Sequence, residues 1–314
     1  MLRARGRVAQ PLLREMTQMQ QQNQTPPRLG FIGAGRVAKA LAWGLAGSGQ
    51  RAVAVASRRL GSAEQLAARI AGCRASTDAQ DVVDRADLVF VTVPDDAIAA
   101  VAAGVQWRRG MAVVHCSGAT EVAVLEPAAR AGAEIGGFHP LQLFADPDVA
   151  LAGLPGCTIG VEADGPLLPR LEVLAAALRC RTIRLPPGCR VRYHAAAHYA
   201  AGFVITLLKQ ATDLWQSFGV EREDAIRALL PLLRGTAASV ECSGLAQGLA
   251  GTYSRGDIGT LEKHLAELGR VGPDALHLYC ELALRSIPLG LERGGYDETR
   301  AEAMRVLLRR ALKP

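Results

Sequence analysis

The sequence predicts an α/β chain, a mostly parallel sheet with helices on both faces, followed by an all-α C-terminal domain. Three observations predict it. Apolar, β-branched runs such as Leu88–Val93 alternate with helical patterns up to Leu185, the pattern of strands buried on both faces. The first of these runs leads into a glycine turn and a helix. After Pro186-Pro187-Gly188 no further strand pattern is found.

The chain opens with an Arg- and Gln-rich leader, residues 1–27, ending in Thr25-Pro26-Pro27. It has no apolar signal-peptide core. It is expected to be a disordered extension, with an overlong start before Met16 or Met19 and an Arg-rich transit peptide as open readings. Leu29, Phe31 and Ile32 then form a strand, and Gly33-Ala34-Gly35-Arg36-Val37-Ala38 matches G-x-G-x-x-G/A. In that motif the first glycine makes the tight turn, the second lets backbone approach a pyrophosphate, and the small third residue packs helix on strand. Helical N–H groups then face the phosphates. The strand before and the helix after are what the mechanism requires, so residues 28–187 read as a Rossmann-type NAD(P)-binding domain.

Further strands are expected at Arg51–Ser57, Leu88–Val93, Ala112–His115, Ile135–Phe138, Thr158–Val161 and Thr182–Leu185. Helices are expected at Ser62–Ala71, Glu121–Ala131 and Pro166–Leu178. Residues 188–314 form the helical substrate and dimerisation domain. Its helices are expected at Tyr193–Phe218, Glu221–Leu233, Thr236–Gln247, Gly259–Leu268, Asp274–Ile287 and Asp297–Leu312. Leu207, Leu208, Leu214, Leu229, Leu230, Leu232 and Leu233 exceed what one small bundle buries, which predicts a homodimer through this domain.

Composition narrows the function classes. Hydrophobic residues make up 49% of the 314 and aromatics only 4%, so the cores are built from Leu, Val, Ile and Ala. The net charge is +6, but residues 1–28 hold +4 of it. No basic block with interleaved aromatics is present, so nucleic acid is not an expected partner. The longest apolar run, Ala195–Leu208, contains His198 and is too short to span a bilayer. Seven scattered cysteines without a C-x-x-C pair read as reduced thiols of a cytoplasmic protein.

Ligands of an open parallel sheet bind beyond the carboxyl ends of its strands. At the end of the second strand stand Ser57-Arg58-Arg59, where an NAD enzyme usually carries an acid for the ribose hydroxyls. A hydroxyl and two guanidiniums suit a 2′-phosphate, so NADP (NADPH) is the expected cofactor. Val93 and Pro94 turn the chain over the nicotinamide side, and Asp96 caps the next helix. Ser117 and Gly118 follow the next strand and, with Gln142 after the strand beyond, are candidate substrate-binding residues. Ser117 would bond nicotinamide or substrate, while Cys116 has no positioned base and reads as structural. His139, held by Pro140 and followed by Gln142, is the leading acid/base candidate, with a locally satisfied turn histidine as the alternative. His194 and His198 share a helix face. Their spacing suggests zinc, but Ala195 stands where H-E-x-x-H needs glutamate, so no metal is expected. His194 is the second catalytic candidate. Arg255 would clamp an anionic substrate, and Asp257 either joins it or caps a helix.

These residues carry a family resemblance. GFIGAGRVA, VTVPDDAI, HCSGA, GGFHPLQLF, RYHAAAHYAAGF and SRGDIGTLEKHL together resemble a family of Rossmann-like NADP oxidoreductases with a C-terminal domain of unknown function. Deazaflavin-dependent NADP reductases, pyrroline-5-carboxylate reductase and prephenate dehydrogenase are related to it. The resemblance spans about residues 28–290. It implies an NADP-binding domain, a helical domain that often dimerises, and a substrate pocket lined by Ser117, His139, His194, Arg255 and Asp257. Two positions depart from the pattern. Gly202 stands where an asparagine is expected, and Ala250-Gly251-Thr252-Tyr253-Ser254 replaces a Leu-Thr-Gly-Pro run. The expected function is NADP(H)-dependent hydride transfer to or from a small, anionic carbonyl or imine substrate. A cofactor-binding protein without catalysis is the alternative, and a deazaflavin-dependent reduction of NADP is a third reading.

Overall fold

The computed structural model describes residues 26–313. Most of the expected leader therefore lies outside the described residues. Eight strands form one sheet: β1 (Arg28–Ile32), β2 (Arg51–Ala56), β3 (Arg74–Ser76), β4 (Leu88–Val91), β5 (Ala112–His115), β6 (Glu134–Pro140), β7 (Thr158–Glu162) and β8 (Arg181–Arg184). Their spatial order is β3-β2-β1-β4-β5-β6-β7-β8. Neighbours are parallel except β6 and β7, which run antiparallel. The first six strands thus follow the 3-2-1-4-5-6 order of dinucleotide-binding sheets. The expected α/β class with a helical C-terminal region is what the chain adopts.

Helices α1 (Arg36–Gly47), α2 (Leu60–Ala67), α3 (Ala79–Arg85), α4 (Asp95–Gly104), α5 (Glu126–Arg130), α6 (Pro147–Ala152) and α7 (Leu167–Ala177) connect or cover the strands. Strand alternation divides the interior in two. Leu29, Phe31, Leu88 and Phe90 face one core, and Ile32, Val89 and Val91 face the other. Phe31 stacks on Phe90 at 5.0 Å, and Phe138 meets Phe90 edge-on at 5.5 Å. Half of the chain's six phenylalanines are spent on this face. The short polar β3 and α3 have too little periodicity to be read from sequence. β3 exists because β2 offers it a parallel register, and α3 because Asp78 caps it by accepting from the Gln80 N–H at 2.9 Å.

The chain divides into two compact units, Met1–Ala201 and Gly202–Pro314. The sequence places this division at residue 187, and the structure places it later. The reason is α8 (Arg190–Ala200), whose fully buried Arg190 bonds Glu162 at the end of β7 and the carbonyl of Ser117. The single helix expected over Tyr193–Phe218 is broken at Ala201 (φ −126°, ψ −84°), and α9 runs Gly202–Gln216.

The second unit continues with α10 (Arg222–Gly248), α11 (Thr252–Arg255), α12 (Ile258–Val271), α13 (Pro273–Arg293) and α14 (Glu298–Ala311). Two expected helices merge into α10, whose break comes instead at Gly244 (φ 77°, ψ 178°). The unit's core gathers Leu261, Cys280, Ala283, Ile287, Ala301, Met304 and Leu308 from α12, α13 and α14. Ile205, Leu232 and Leu245 on α9 and α10 stay exposed.

Candidate active site

The glycine turn behaves as its chemistry requires. Gly33 has φ +104°, and a Cβ there would sit 2.6 Å from the Thr92 carbonyl oxygen, so only glycine fits. Thr92 closes the turn by donating from Oγ1 to the Gly33 carbonyl at 2.9 Å. A Cβ on Gly35 would meet nothing within 4 Å. Open space therefore faces the first turn of α1, where unsatisfied N–H groups favour an anion. A cleft of about 950 Å³ runs from this turn past Ser57, Arg58, Arg59, Ser62 and Thr77 to Val93 and Pro94. Arg58 and Arg59 are exposed, and among the described residues neither forms an ion pair. Of the sequence-derived cofactor residues, Gly33, Ala34, Gly35, Ser57, Arg58, Arg59, Val93 and Pro94 line this cleft. Arg36 instead donates to the Ala145 carbonyl at 3.0 Å, and Val37 packs against the core.

A second cluster lies at the carboxyl ends of β5 and β6, on the same edge of the sheet. His139 Nδ1 is 2.9 Å from the Tyr193 hydroxyl of α8. The His139 ring meets the His194 ring edge-on at 5.5 Å, and His194 meets His198 at 5.0 Å. Gly118 lies under both histidines: a Cβ there would be 2.3 Å from His194 Nδ1 and 2.8 Å from His139 Nε2. Gly160 plays the same part for Tyr193, whose hydroxyl would be 2.8 Å from a Cβ at that position.

Burial sets the protonation of this cluster. It pushes His139 down to about 4, helped by His194 and Arg190 and opposed by Asp95. His194 is lowered by burial and then by His198. Buried His115, behind the cluster, is pushed down to about 3 by burial, Arg190 and His139. Tyr193 is raised to about 12, chiefly by burial. Near neutral pH His115, His139 and His194 therefore favour the uncharged form and Tyr193 keeps its proton. The buried His194 Nδ1 has no hydrogen-bond partner among the described residues, so a donor or acceptor is left for a ligand.

The other expected residues are used differently. Ser117 Oγ donates to Asp95 Oδ2 at 2.6 Å and accepts from the Ala119 and Thr120 N–H groups at 3.2 and 2.9 Å. Its hydroxyl shapes the loop that carries Gly118. Gln142 spans its own loop, donating to the Gly153 carbonyl at 2.8 Å and accepting from the Leu143 N–H at 2.8 Å. Asp257 in the second unit caps α12, accepting from the Thr260 N–H at 3.0 Å. Exposed Arg255 ends α11.

Sequence reasoning passed over Tyr193, Arg190, Glu162 and Asp95. One signal was available: Arg190, Tyr193 and His194 stand at i, i+3 and i+4, one face of a helix. Arg190 Nε donates to Glu162 at 2.5 Å and Nη1 to the Ser117 carbonyl at 2.8 Å. Glu162 gave no signal, because its partner comes from a remote segment.

Residues 28–118 match the family described as NADP oxidoreductase, coenzyme F420-dependent. Residues 157–286 match a domain of unknown function, DUF2520. The two matches fall on successive stretches of the chain, the first on the strands and helices around the glycine turn and the second from β7 into the helical unit. The enzyme class and the cofactor expected from the sequence are those of the matched family. No curated protein matches the chain. Among solved structures, protein TM1727 from Thermotoga maritima is 23% identical with TM-score 0.68, over 84% of this chain and 98% of its own. A candidate NADP oxidoreductase from Bacteroides fragilis is 23% identical with TM-score 0.64, over 92% and 99%. Plasmodium falciparum pyrroline carboxylate reductase with NADP bound is 13% identical with TM-score 0.59, over 89% and 98%. At these identities the likeness is one of fold. Among the described residues no helix is long and apolar enough to cross a membrane.

Proposed function

We propose that this NADP-oxidoreductase module and its helical partner reduce, or in reverse form, the carbonyl or imine group of a small anionic substrate, with His139 meeting the reacting oxygen or nitrogen. The observation that carries the reading is the closing of His139 and His194 over Gly118, on the edge of the sheet that also holds the glycine-turn cleft. The residues present fit the dinucleotide. Gly33 and open Gly35 leave room for a pyrophosphate at α1, and Ser57, Arg58 and Arg59 suit the 2′-phosphate. Bound there, NADP(H) supplies or accepts the hydride.

Tyr193, kept protonated by burial, lies 2.9 Å from His139 Nδ1, and in this reading it is the donor. This bond fixes the tautomer that carries hydrogen on Nε2, the nitrogen facing Gly118. Neutral His139 thus polarises a carbonyl or imine by donating from Nε2, and that proton goes to the oxygen or nitrogen that gains charge. Tyr193 then gives its own proton to Nδ1 and regains one from the solvent, which returns the phenol to the form that burial favours. His194 Nδ1 holds a second polar group of the substrate.

The test is a calorimetric titration with NADPH and then NADH, followed by a carbonyl and imine screen on wild type and His139→Asn. Tight NADPH binding, weak NADH binding and a slow mutant with unchanged NADPH affinity are expected. Equal turnover in the mutant removes His139 from its role. Binding of neither nucleotide removes the oxidoreductase reading altogether.

The matched family's description favours one second reading, in which a deazaflavin is the hydride partner of NADP. Oxidation of NADPH by the deazaflavin coenzyme alone, followed by absorbance, separates the two. Exposed Ile205, Leu232, Leu245 and Val271 support a homodimer through the helical unit, checked by light scattering. A cytoplasmic location fits its free cysteines.

A further inference from the structure

Two cysteines that the proposed chemistry does not use stand side by side near the β6–β7 junction. Cys157 immediately precedes β7 and Cys180 immediately precedes β8. The strands are parallel, with Thr158 opposite Arg181, so the two cysteines are cross-strand neighbours. Backbone bonds hold them there from both sides: Arg181 N–H donates to the Cys157 carbonyl at 2.9 Å, and Gly156 N–H to the Arg179 carbonyl at 2.8 Å. Arg179, the only non-glycine residue with positive φ (57°) among the described residues, turns the end of α7 so that Cys180 enters this register. The two sulfurs are 3.5 Å apart.

We propose that Cys157 and Cys180 are a modification site that takes up a reversible intramolecular disulfide from a small disulfide oxidant. The sulfurs need to close by only about 1.5 Å to reach bonding distance. Both thiols are half-buried, within reach of a small oxidant, whereas Cys280 is fully buried. Contact with Cys180 lowers the Cys157 thiol, so Cys157 supplies the attacking thiolate. Cys116 and Cys73 are raised by burial, to about 12 and about 11, and among the described residues neither makes the sulfur–sulfur contact that sets this pair apart. In the exchange, the Cys157 thiolate attacks one sulfur of the oxidant and expels a thiolate. Cys180, whose thiol is raised by burial and by its neighbour, then gives its proton to the solvent, and its sulfur attacks Cys157 Sγ of the mixed disulfide and expels the second thiolate. The protein loses two protons and two electrons, and the oxidant takes them up to become two thiols.

The experiment treats the full chain with oxidised glutathione, quenches free thiols by alkylation, and reads intact mass and proteolytic peptides. Expected are a mass lower by two hydrogens, loss of two alkylatable thiols, a 157–180 cross-linked peptide, and reversal by dithiothreitol. Cys157→Ser and Cys180→Ser each abolish the internal link, and Cys116→Ala retains it. Should either serine variant fail to fold, the wild-type peptide map decides alone. Unchanged mass, glutathione adducts without an internal link, or a link between other cysteines would overturn the proposal.

Discussion

Gly137→Ala tests the packing on which the site rests. Gly137 lies on β6, opposite His115 of β5 and Glu162 of β7. Its φ is not positive, so alanine suits the backbone. Space is what forbids it: a Cβ would sit 1.6 Å from Arg190 Nη2 and 2.5 Å from its Cζ. Ordinary contact needs about 3.5 Å, so the guanidinium must retreat by roughly 2 Å. Its bonds to Glu162 at 2.5 Å and to the Ser117 carbonyl at 2.8 Å cannot survive that shift. Glu162 is then left nearly buried without its cation, which costs about 3–5 kcal/mol. With a urea m-value of about 2 kcal/mol/M, the unfolding midpoint of the first unit falls by roughly 1.5–2.5 M. Trp43 and Trp107 report on that unit by fluorescence. Combining Gly137→Ala with Arg190→Met and Glu162→Gln removes both the clash and the orphaned charge, and should recover most of the loss. A midpoint within ~0.3 M of wild type for Gly137→Ala alone, or no recovery in the combined variant, would falsify the packing argument.

Three more predictions come from the site and its supports. His139 and His115 are held below their ordinary value of 6.5, to about 4 and about 3; the unfolded chain therefore takes up protons first as pH falls. Stability is fully present above pH 6.5 and declines toward pH 4 and below; denaturation midpoints at pH 7 and 4.5 should differ less in His139→Asn than in wild type. Arg58→Ala with Arg59→Ala should weaken NADPH binding by about 10–100-fold and NADH binding little, read by calorimetry; equal losses would remove both arginines as selectors. Asp257→Ala should lower the melting temperature of the helical unit through the lost cap on α12; an unchanged or higher melting temperature would contradict the capping role.

Local sequence made the nucleotide half legible. The strand, the glycine turn and the helix start are contiguous, so spacing alone carries the argument from Leu29 to Ala38, and the same holds for Ser57-Arg58-Arg59 after β2. His139 and His194 were marked by position at strand and helix ends. Their joint use of the space over Gly118 was not legible, because it depends on where α8 sets down on the sheet. The extent of α8 and the later division of the chain have the same cause. No local pattern tells that Arg190 pairs with Glu162 across 28 residues and with Ser117 across 73.

The sequence by itself determined the alternation of strands and helices, the dinucleotide turn and the chemical character of the selecting residues, because each rests on neighbours along the chain. Only the tertiary structure decided that Ser117 is occupied by Asp95, that Tyr193 rather than a nearer residue meets His139, and that burial lowers His115, His139 and His194. Those outcomes depend on burial and on contacts between distant segments, and burial is a property that a residue acquires only when the rest of the chain closes around it.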